Sequence, residues 1–155
     1  MAALSASRLM SLPMTTGGEM VSIAWCDDYS VQINSIDNEH KLLIGLIQEL
    51  DSALKTQEMV RSQLVPSILE KLKRYIHVHF ESEECFMQLH DYPELESHQG
   101  EHQRLVQKLE QFVSYVNSNK LVFNDPMLSF LKDWLIRHIL LEDSKFGKYF
   151  RQLHK

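Results

Sequence analysis

The chain has 155 residues, a formal net charge of −5 at neutral pH and a hydrophobic content of 44%. That length suits one domain with a single core, and that content excludes a chain that is disordered throughout. The scattered basic residues and the negative net charge argue against nucleic acid or an anionic membrane as the main partner. No run of about eighteen apolar residues predicts a membrane span.

The two cysteines, Cys26 and Cys85, form neither a CxxC pair nor a disulfide framework. Cysteines of this kind are typical of a reducing compartment, so we expect a cytoplasmic protein. Residues 1–19 show no periodicity and predict a flexible tail ahead of a domain of residues 20–155. The tail fits a secretory signal poorly, and a translation start at Met20 is an alternative interpretation.

Residues 21–34 lack a helical stripe and predict an extended arm on the outside or at the end of the domain. The first helix is expected to begin near Ser35 or Asp37, because either side chain can cap free N–H groups, and to stop at residues 55–57. Its inward stripe places one histidine among apolar residues: Ile36, His40, Leu43, Ile47, Leu50 and Leu54.

The second helix is predicted from about Gln63 to His90, with Pro66 inside its first turns. Its inner face carries a histidine and a carboxylate where a core expects leucine: Ile68, Leu72, Ile76, His79, Glu83 and Phe86.

The third helix is predicted to start at Pro93 and to run to about Asn117. Its inner stripe holds two histidines: Leu95, His98, His102, Leu105, Leu109, Phe112 and Val116. The fourth helix is predicted from residues 125–126 to Glu142, with an inner stripe of Leu128, Leu131, Leu135 and His138, and Asp143 follows His138 by five. A short amphipathic segment, residues 146–153, closes the chain.

Amphipathic helices joined by short loops predict an all-α fold, an antiparallel up-down-up-down four-helix bundle with an N-terminal extended arm and a short C-terminal helix. The side chains on its inner faces that can bind a metal are His40, His79, Glu83, His98, His102, His138 and Asp143. In the antiparallel bundle all of them lie at the same end. Burying an unpaired carboxylate costs several kcal/mol, so we expect a bound metal to compensate it.

Five imidazoles and two carboxylates are too many ligands for one ion and suit two. Imidazole suits iron, copper, nickel and zinc, whereas carboxylates favour harder ions and can bridge. For two six-coordinate iron ions (Fe2+/Fe3+) that share a bridging oxo or hydroxo group, this set leaves one coordination position open. Such a centre can take up dioxygen without a change in its net charge. The apolar neighbours expected to exclude water are Leu43, Phe80, Trp134, Leu135 and Ile139.

Four stretches of the chain together resemble the bacterial branch of the hemerythrin family over about residues 21–150. They read Trp25…Asp28…Val31…Ile36-Asp37-x-Glu39-His40, His79-Phe80-x-x-Glu83-Glu84-x-x-Met87, Tyr92-Pro93…His98-x-x-x-His102 and Trp134-Leu135-x-x-His138-Ile139-x-x-x-Asp143. The resemblance implies a four-helix bundle with a di-iron centre that binds dioxygen reversibly, and no catalytic residues. It implies that His98, His102 and His138 hold the coordinatively full iron. It assigns His40 and His79 to the iron that binds dioxygen, with Glu83 and Asp143 as bridges.

Other interpretations compete with reversible dioxygen binding. The residues from His98 to His102 also spell the His-x-x-Glu-His pattern of zinc peptidases, but that pattern leaves the other inward ligands unexplained. A di-iron oxidase or peroxidase-like enzyme of the ferritin-like kind is a stronger rival, although its sites are richer in glutamate. An iron- or NO-responsive sensor is a third, and it would need a signalling partner.

The remaining polar residues near these motifs are expected to have no part in the site. His77 should face elsewhere, His90 lies at a helix end and His154 lies in the tail. Glu39 and Glu84 are expected to be exposed to solvent. A monomer is the expected state, because no helix has a strongly apolar outer stripe; an enzyme that consumes dioxygen is a possible partner.

Overall fold

The computed structural model describes residues 22–155, so the tail predicted for residues 1–19 lies outside the described residues. A short 3-10 helix, Asp27–Tyr29, precedes the long helices. These are α1 (Asn34–Leu54), α2 (Glu58–Leu89), α3 (Leu95–Asn117) and α4 (Asp125–Arg137), followed by a π-helix (His138–Asp143) and α5 (Ser144–Leu153). Within the described residues, no helix is both long enough and apolar enough to cross a membrane.

The long helices form the predicted antiparallel four-helix bundle. Helix α1 packs on α2 and α4, and α2 packs on α3. Their inward stripes meet in a large apolar cluster, which we call the main core; examples are Leu50, Leu72, Leu109 and Leu128. Each of these side chains is at most 1% exposed, so the main core fixes the helices relative to one another.

A second, smaller apolar cluster closes one end of the bundle, and we call it the end cluster. Its buried members are Val31, Ile33, Ile36, Met87, Tyr92 and Phe146. The arm and α5 are in close contact there: Arg151 Nη1 donates to the carbonyl of Val31 at 2.9 Å. A Cβ at Gly147 would lie 2.5 Å from the same carbonyl oxygen, so only glycine permits this approach. The arm therefore ends at the bundle end, as the sequence predicts.

The start of α1 differs from the prediction. The helix begins at Asn34, and its N-cap residue, Ile33, provides no side-chain hydrogen bond. Asp37 instead accepts hydrogen bonds from Ser30 Oγ at 2.6 Å and from the Val31 amide at 2.8 Å. The carboxylate thus stabilises the turn of the arm rather than the first turn of the helix.

Two other helix starts were predicted imperfectly. Helix α2 begins at Glu58, earlier than expected, and continues through Pro66. Residues 58–60 and 62–64 are exposed, so water can satisfy the carbonyl whose helical partner proline removes. Helix α3 begins at Leu95 rather than at Pro93, because Asp91 adopts a left-handed conformation (φ 52°) and the chain uses residues 92–94 to reverse its direction.

The predicted fourth helix is not α-helical throughout. It changes to a π-helix at His138, and α5 follows without a break. The start of α4 agrees with the prediction: Asn124 caps it by accepting a hydrogen bond from the Met127 amide at 3.1 Å, and Pro126 lies in its first turn.

Candidate metal centre

The structure brings all seven predicted ligands together in one buried layer. Along α1, His40 lies between Ile36 of the end cluster and Leu43 of the main core, so the layer lies between the two clusters. All seven side chains are at most 5% exposed: His40, His79, Glu83, His98, His102, His138 and Asp143.

Ligand atoms in this layer form two groups that share the carboxylates. One group contains Glu83, His98, His102, His138 and Asp143; the other contains His40, His79, Glu83 and Asp143. Within each group the candidate ligand atoms lie within 4.8 Å of one another. The grouping has the form expected of two neighbouring ions joined by two carboxylates.

Asp143 connects the two groups through different oxygens. Its Oδ2 lies 3.0 Å from His40 Nε2, whereas its Oδ1 lies 3.1 Å from His98 Nε2 and 3.0 Å from His138 Nε2. Glu83 Oε2 lies 3.2 Å from His102 Nε2 and 3.9 Å from His79 Nε2. A carboxylate that faces both groups is the arrangement of a bridging ligand.

Unsatisfied atoms in the layer test whether metal ions fit. His102 Nε2 lies 3.0 Å from His138 Nε2, which in turn lies 3.2 Å from His98 Nε2. Three ring nitrogens this close together cannot all be donors or acceptors of hydrogen bonds to one another. The side-chain oxygens of Asp143 and one oxygen of Glu83 have no hydrogen-bond partner. Buried polar atoms are normally satisfied, so this donor set fits metal ions.

The histidines also set the charge of the two carboxylates in the metal-free layer. Burial and the neighbouring Asp143 raise the pKa of Glu83, but hydrogen bonds from His102 and His98 outweigh them and hold that pKa at about 2. Burial also opposes ionisation of Asp143, yet His138, His40 and His98 hold its pKa well below the usual value. The histidines of the layer thus keep both carboxylates charged.

The π-helix explains how ligands five residues apart face the same layer. In an α-helix, five residues rotate by about 500°, which leaves a side chain roughly 140° away from the first one. A π-helix has a wider turn closed by i→i+5 hydrogen bonds. His138 and Asp143 are the first and last residues of the π-helix and are both buried. The spacing of five was visible in the sequence, but its structural cause was not predicted.

Two carboxylates that were expected to be exposed instead contact candidate ligands. Glu39 Oε2 accepts a hydrogen bond from His79 Nδ1 at 2.6 Å, and Glu84 Oε1 accepts one from His102 Nδ1 at 2.7 Å. Metal-bound histidines usually donate their second N–H in this way, and that rule was the signal available in the sequence. In the sequence each glutamate is next to a candidate ligand. Because neither glutamate lies on the inner stripe, the stripe did not predict its contact with a histidine.

Aromatic rings cover one side of the histidines. The Phe80 ring stacks on His102 with centroids 3.6 Å apart, and the Trp134 ring stacks on His138 at 4.4 Å. Leu43, Leu135 and Ile139 are also buried nearby in the main core. The five residues predicted to exclude water thus pack in or against that core, Trp134 being only partly buried.

The other histidines stay outside the layer, as predicted. His77 lies on the surface, 3.8 Å from Glu110. His90 and His154 donate to backbone carbonyls within their own helices. Glu101, the base of the zinc-peptidase pattern, pairs with Arg104 at the surface. That pattern therefore has no base facing its histidines.

Comparisons with known proteins identify the family that this chain resembles. The family model of the Hemerythrin HHE cation binding domain matches residues 31–150. A bacteriohemerythrin of Clostridium acetobutylicum is 29% identical over 79% of this chain and 96% of its own length. One of Methylococcus capsulatus is 26% identical over 83% of this chain and 96% of its own length.

Solved structures give the same result. A crystal structure of wild-type hemerythrin superimposes with a TM-score of 0.76 at 25% identity and covers 83% of this chain and 97% of that chain. A hemerythrin mutant in which one leucine is replaced by tyrosine gives a TM-score of 0.77 at 24% identity, which supports the fold alone. The family match spans most of the chain and includes every residue of the buried layer. The chain belongs to the hemerythrin HHE family of cation-binding proteins.

Proposed function

We propose that this protein binds dioxygen reversibly at a non-haem di-iron centre in the buried layer. The observation that carries the proposal is the pair of ligand groups that share Glu83 and Asp143. A single ion would leave one group without a partner. The bacteriohemerythrins that resemble this chain over most of its length support iron as the metal and dioxygen as the ligand.

The two groups differ in their number of histidines, and this difference assigns their roles. His98, His102 and His138 would hold one iron together with both carboxylates. His40 and His79 would hold the other with the same carboxylates. If the ions also shared one oxo or hydroxo group, the three-histidine group would supply a sixth donor position and the two-histidine group would leave one position open. We therefore assign the open position, and dioxygen, to the ion of His40 and His79.

Iron bound in this layer would supply the electrons that dioxygen takes up on binding and returns on release. The protein contributes position and exclusion of water. The stacked rings of Phe80 and Trp134 and the buried side chains of Leu43 and Ile139 place apolar surface beside the histidines. Exclusion of water and protons slows irreversible oxidation of such a centre. The surroundings thus favour binding over turnover.

A binding protein is preferred to an oxidase because of the ligand set. Five of the seven residues are histidines, whereas oxidases of the ferritin-like kind use mainly glutamates. No residue is assigned a catalytic role. Storage, delivery to an enzyme that consumes dioxygen, and sensing would use the same ligands and differ in partner and rates.

Reduced protein is the material that tests the proposal. Iron content is measured first, and then the visible spectrum is recorded without air, after exposure to air and after removal of dioxygen. We expect about two irons per chain and an absorption that appears with dioxygen and disappears without it. Iron that oxidises once and stays ferric would support the oxidase instead, and a single zinc ion would overturn the di-iron centre.

Three further expectations belong to this proposal. Cys26 and Cys85 are both free and exposed, which supports a reducing cytoplasm. Residues 20–155 are proposed as one domain because the main core and the end cluster join the arm, the four long helices and α5. A monomer is proposed, and size-exclusion chromatography with light scattering tests it.

A further inference from the structure

Glu39 and Glu84 each connect a candidate ligand to a neighbouring helix. Glu39 lies on α1 and accepts the Nδ1–H of His79 on α2 at 2.6 Å. Glu84 lies on α2 and accepts the Nδ1–H of His102 on α3 at 2.7 Å. Both hydrogen bonds are short, as expected when the acceptor is a carboxylate.

The second oxygen of each carboxylate is also held. Ser82 Oγ donates to Glu39 Oε1 at 3.2 Å, and Gln99 Nε2 donates to Glu84 Oε2 at 3.0 Å. The two glutamate side chains are 27% and 26% exposed, so neither is part of the apolar core. Each carboxylate is therefore fixed through both oxygens while it faces a histidine of the layer.

We propose that Glu39 and Glu84 are positioning residues that act on different metal ions. The inference rests on the proposed function, because it uses the assignment of the histidines to two ions. His79 occurs only in the group with His40, whereas His102 occurs only in the group with His98 and His138.

The physical effect of such a carboxylate on its histidine is specific. Accepting the Nδ1–H keeps the ring proton on Nδ1, so that the Nε2 lone pair is available to the metal. The negative charge also makes the imidazole a stronger donor. Because Glu39 contacts His79 alone among the ligands, and Glu84 contacts His102 alone, each should affect one ion more than the other.

Cobalt titration of the metal-free protein tests the inference without dioxygen. Co2+ prefers similar ligands, and its visible absorption reports the coordination of each ion as it binds. The variants are Glu39→Gln and Glu84→Gln, which keep the size and an acceptor oxygen but remove the charge. The ligand group with three histidines should bind the first equivalent of Co2+.

We expect the two variants to weaken different equivalents of Co2+. Glu39→Gln should lower the affinity for the second equivalent by about 10- to 100-fold and leave the first unchanged. Glu84→Gln should weaken the first equivalent by a similar factor and alter its absorption. Wild-type affinities for both ions in both variants would overturn the inference.

A matched control separates this role from a general effect of losing a glutamate. Glu110 also faces a histidine, His77, but at 3.8 Å on the surface. Glu110→Gln should bind both Co2+ ions like the wild type. The melting temperature of each metal-free variant should equal that of the wild type; a lower one with unchanged Co2+ affinity would indicate a structural role and overturn the inference.

Failure of the proposed function gives a different result. If the wild-type protein binds only one Co2+ and only one iron, the two-ion centre itself is wrong and the inference falls with it. If the wild type binds two ions but the two variants do not weaken different equivalents of Co2+, the two-ion centre stands and only the inference is wrong.

Discussion

Apart from Asp37, which accepts hydrogen bonds from the arm, the buried polar side chains among residues 22–155 lie in two places, and the two places are built differently. One is the seven-residue layer at the bundle end. The other is an ion pair about three turns further along α1, where Lys132 Nζ donates to Asp51 Oδ2 at 3.1 Å. In the ion pair, opposite charges meet directly. In the layer, ring nitrogens and carboxylate oxygens converge on shared space.

The distribution of unsatisfied atoms makes the difference explicit. Among residues 22–155, every buried side-chain nitrogen or oxygen that lacks a hydrogen-bond partner belongs to the layer: atoms of His40, Glu83, His98 and Asp143. The ion pair contributes none. Polar groups that stabilise a fold are satisfied by the protein itself, whereas those that bind a ligand keep atoms available for it.

The largest expected effect is at the carboxylates shared by both ligand groups. Replacing Glu83 with Ala removes a ligand from each group, so we expect metal content to fall from about two irons per chain to none. Iron analysis measures this, with circular dichroism to check helix content. Glu81→Ala, an exposed neighbour on the same helix, should retain both irons. Full iron content in Glu83→Ala would contradict the shared site.

A smaller effect is expected where a residue belongs to one group only. Replacing His79 with Ala should remove one iron and abolish the response of the spectrum to dioxygen, because the ion with the open position is lost. His77→Ala is the control on the same helix and should keep both irons. Loss of iron in the control would mean that the wrong face of α2 has been assigned to the metal centre.

Breaking the ion pair of Asp51 and Lys132 should lower stability and leave metal binding unchanged. Replacing Asp51 with Asn removes one partner of a buried pair, and we expect the free energy of unfolding to fall by roughly 3 kcal/mol. Chemical denaturation measures it. Iron content should be unchanged, because Asp51 lies outside both ligand groups. Iron loss without loss of stability would show that the two regions are not independent.

The smallest effect is on the acid dependence of stability. Burial opposes ionisation of Asp51, but hydrogen bonds from Lys132 and Lys55 outweigh it and lower the pKa of that carboxyl below its usual value. A lowered native pKa means that the stabilisation is complete above the ordinary value and is lost as the pH falls through the native one.

The stability difference between wild type and Asp51→Asn should therefore be larger at neutral pH than below the lowered native pKa of Asp51. Denaturation of the metal-free proteins at both pH values measures it, so that loss of iron in acid does not interfere. An equal difference at both pH values would contradict the assigned cause.

The burial of most residues of the layer, though not of Asp143, could be predicted from the sequence because they follow the helical stripe. His40, His98 and His102 occupy positions three or four residues from apolar neighbours, and that spacing alone places them inside a bundle. The fold class followed from the same periodicity and is confirmed.

Contacts between separate elements were beyond such a pattern. Glu39 and Glu84 lie beside the stripe, and only the packing of α1 on α2 and of α2 on α3 brings them to His79 and His102. The role of Asp37 was mispredicted for a similar reason, because the arm turns back onto its carboxylate and donates the Val31 amide to it. Periodicity describes one helix at a time.

The π-helix has a consequence for which changes in chain length the protein tolerates. Deleting one residue between His138 and Asp143 would favour an ordinary α-helix there. In an α-helix four residues rotate by about 400°, so Asp143, then four residues after His138, would still face the layer. Phe146 and Gly147 would keep their contacts with the end cluster and the arm. A single-residue deletion should therefore be tolerated here, whereas inserting one more residue would rotate the chain beyond it by about 100° and remove those contacts.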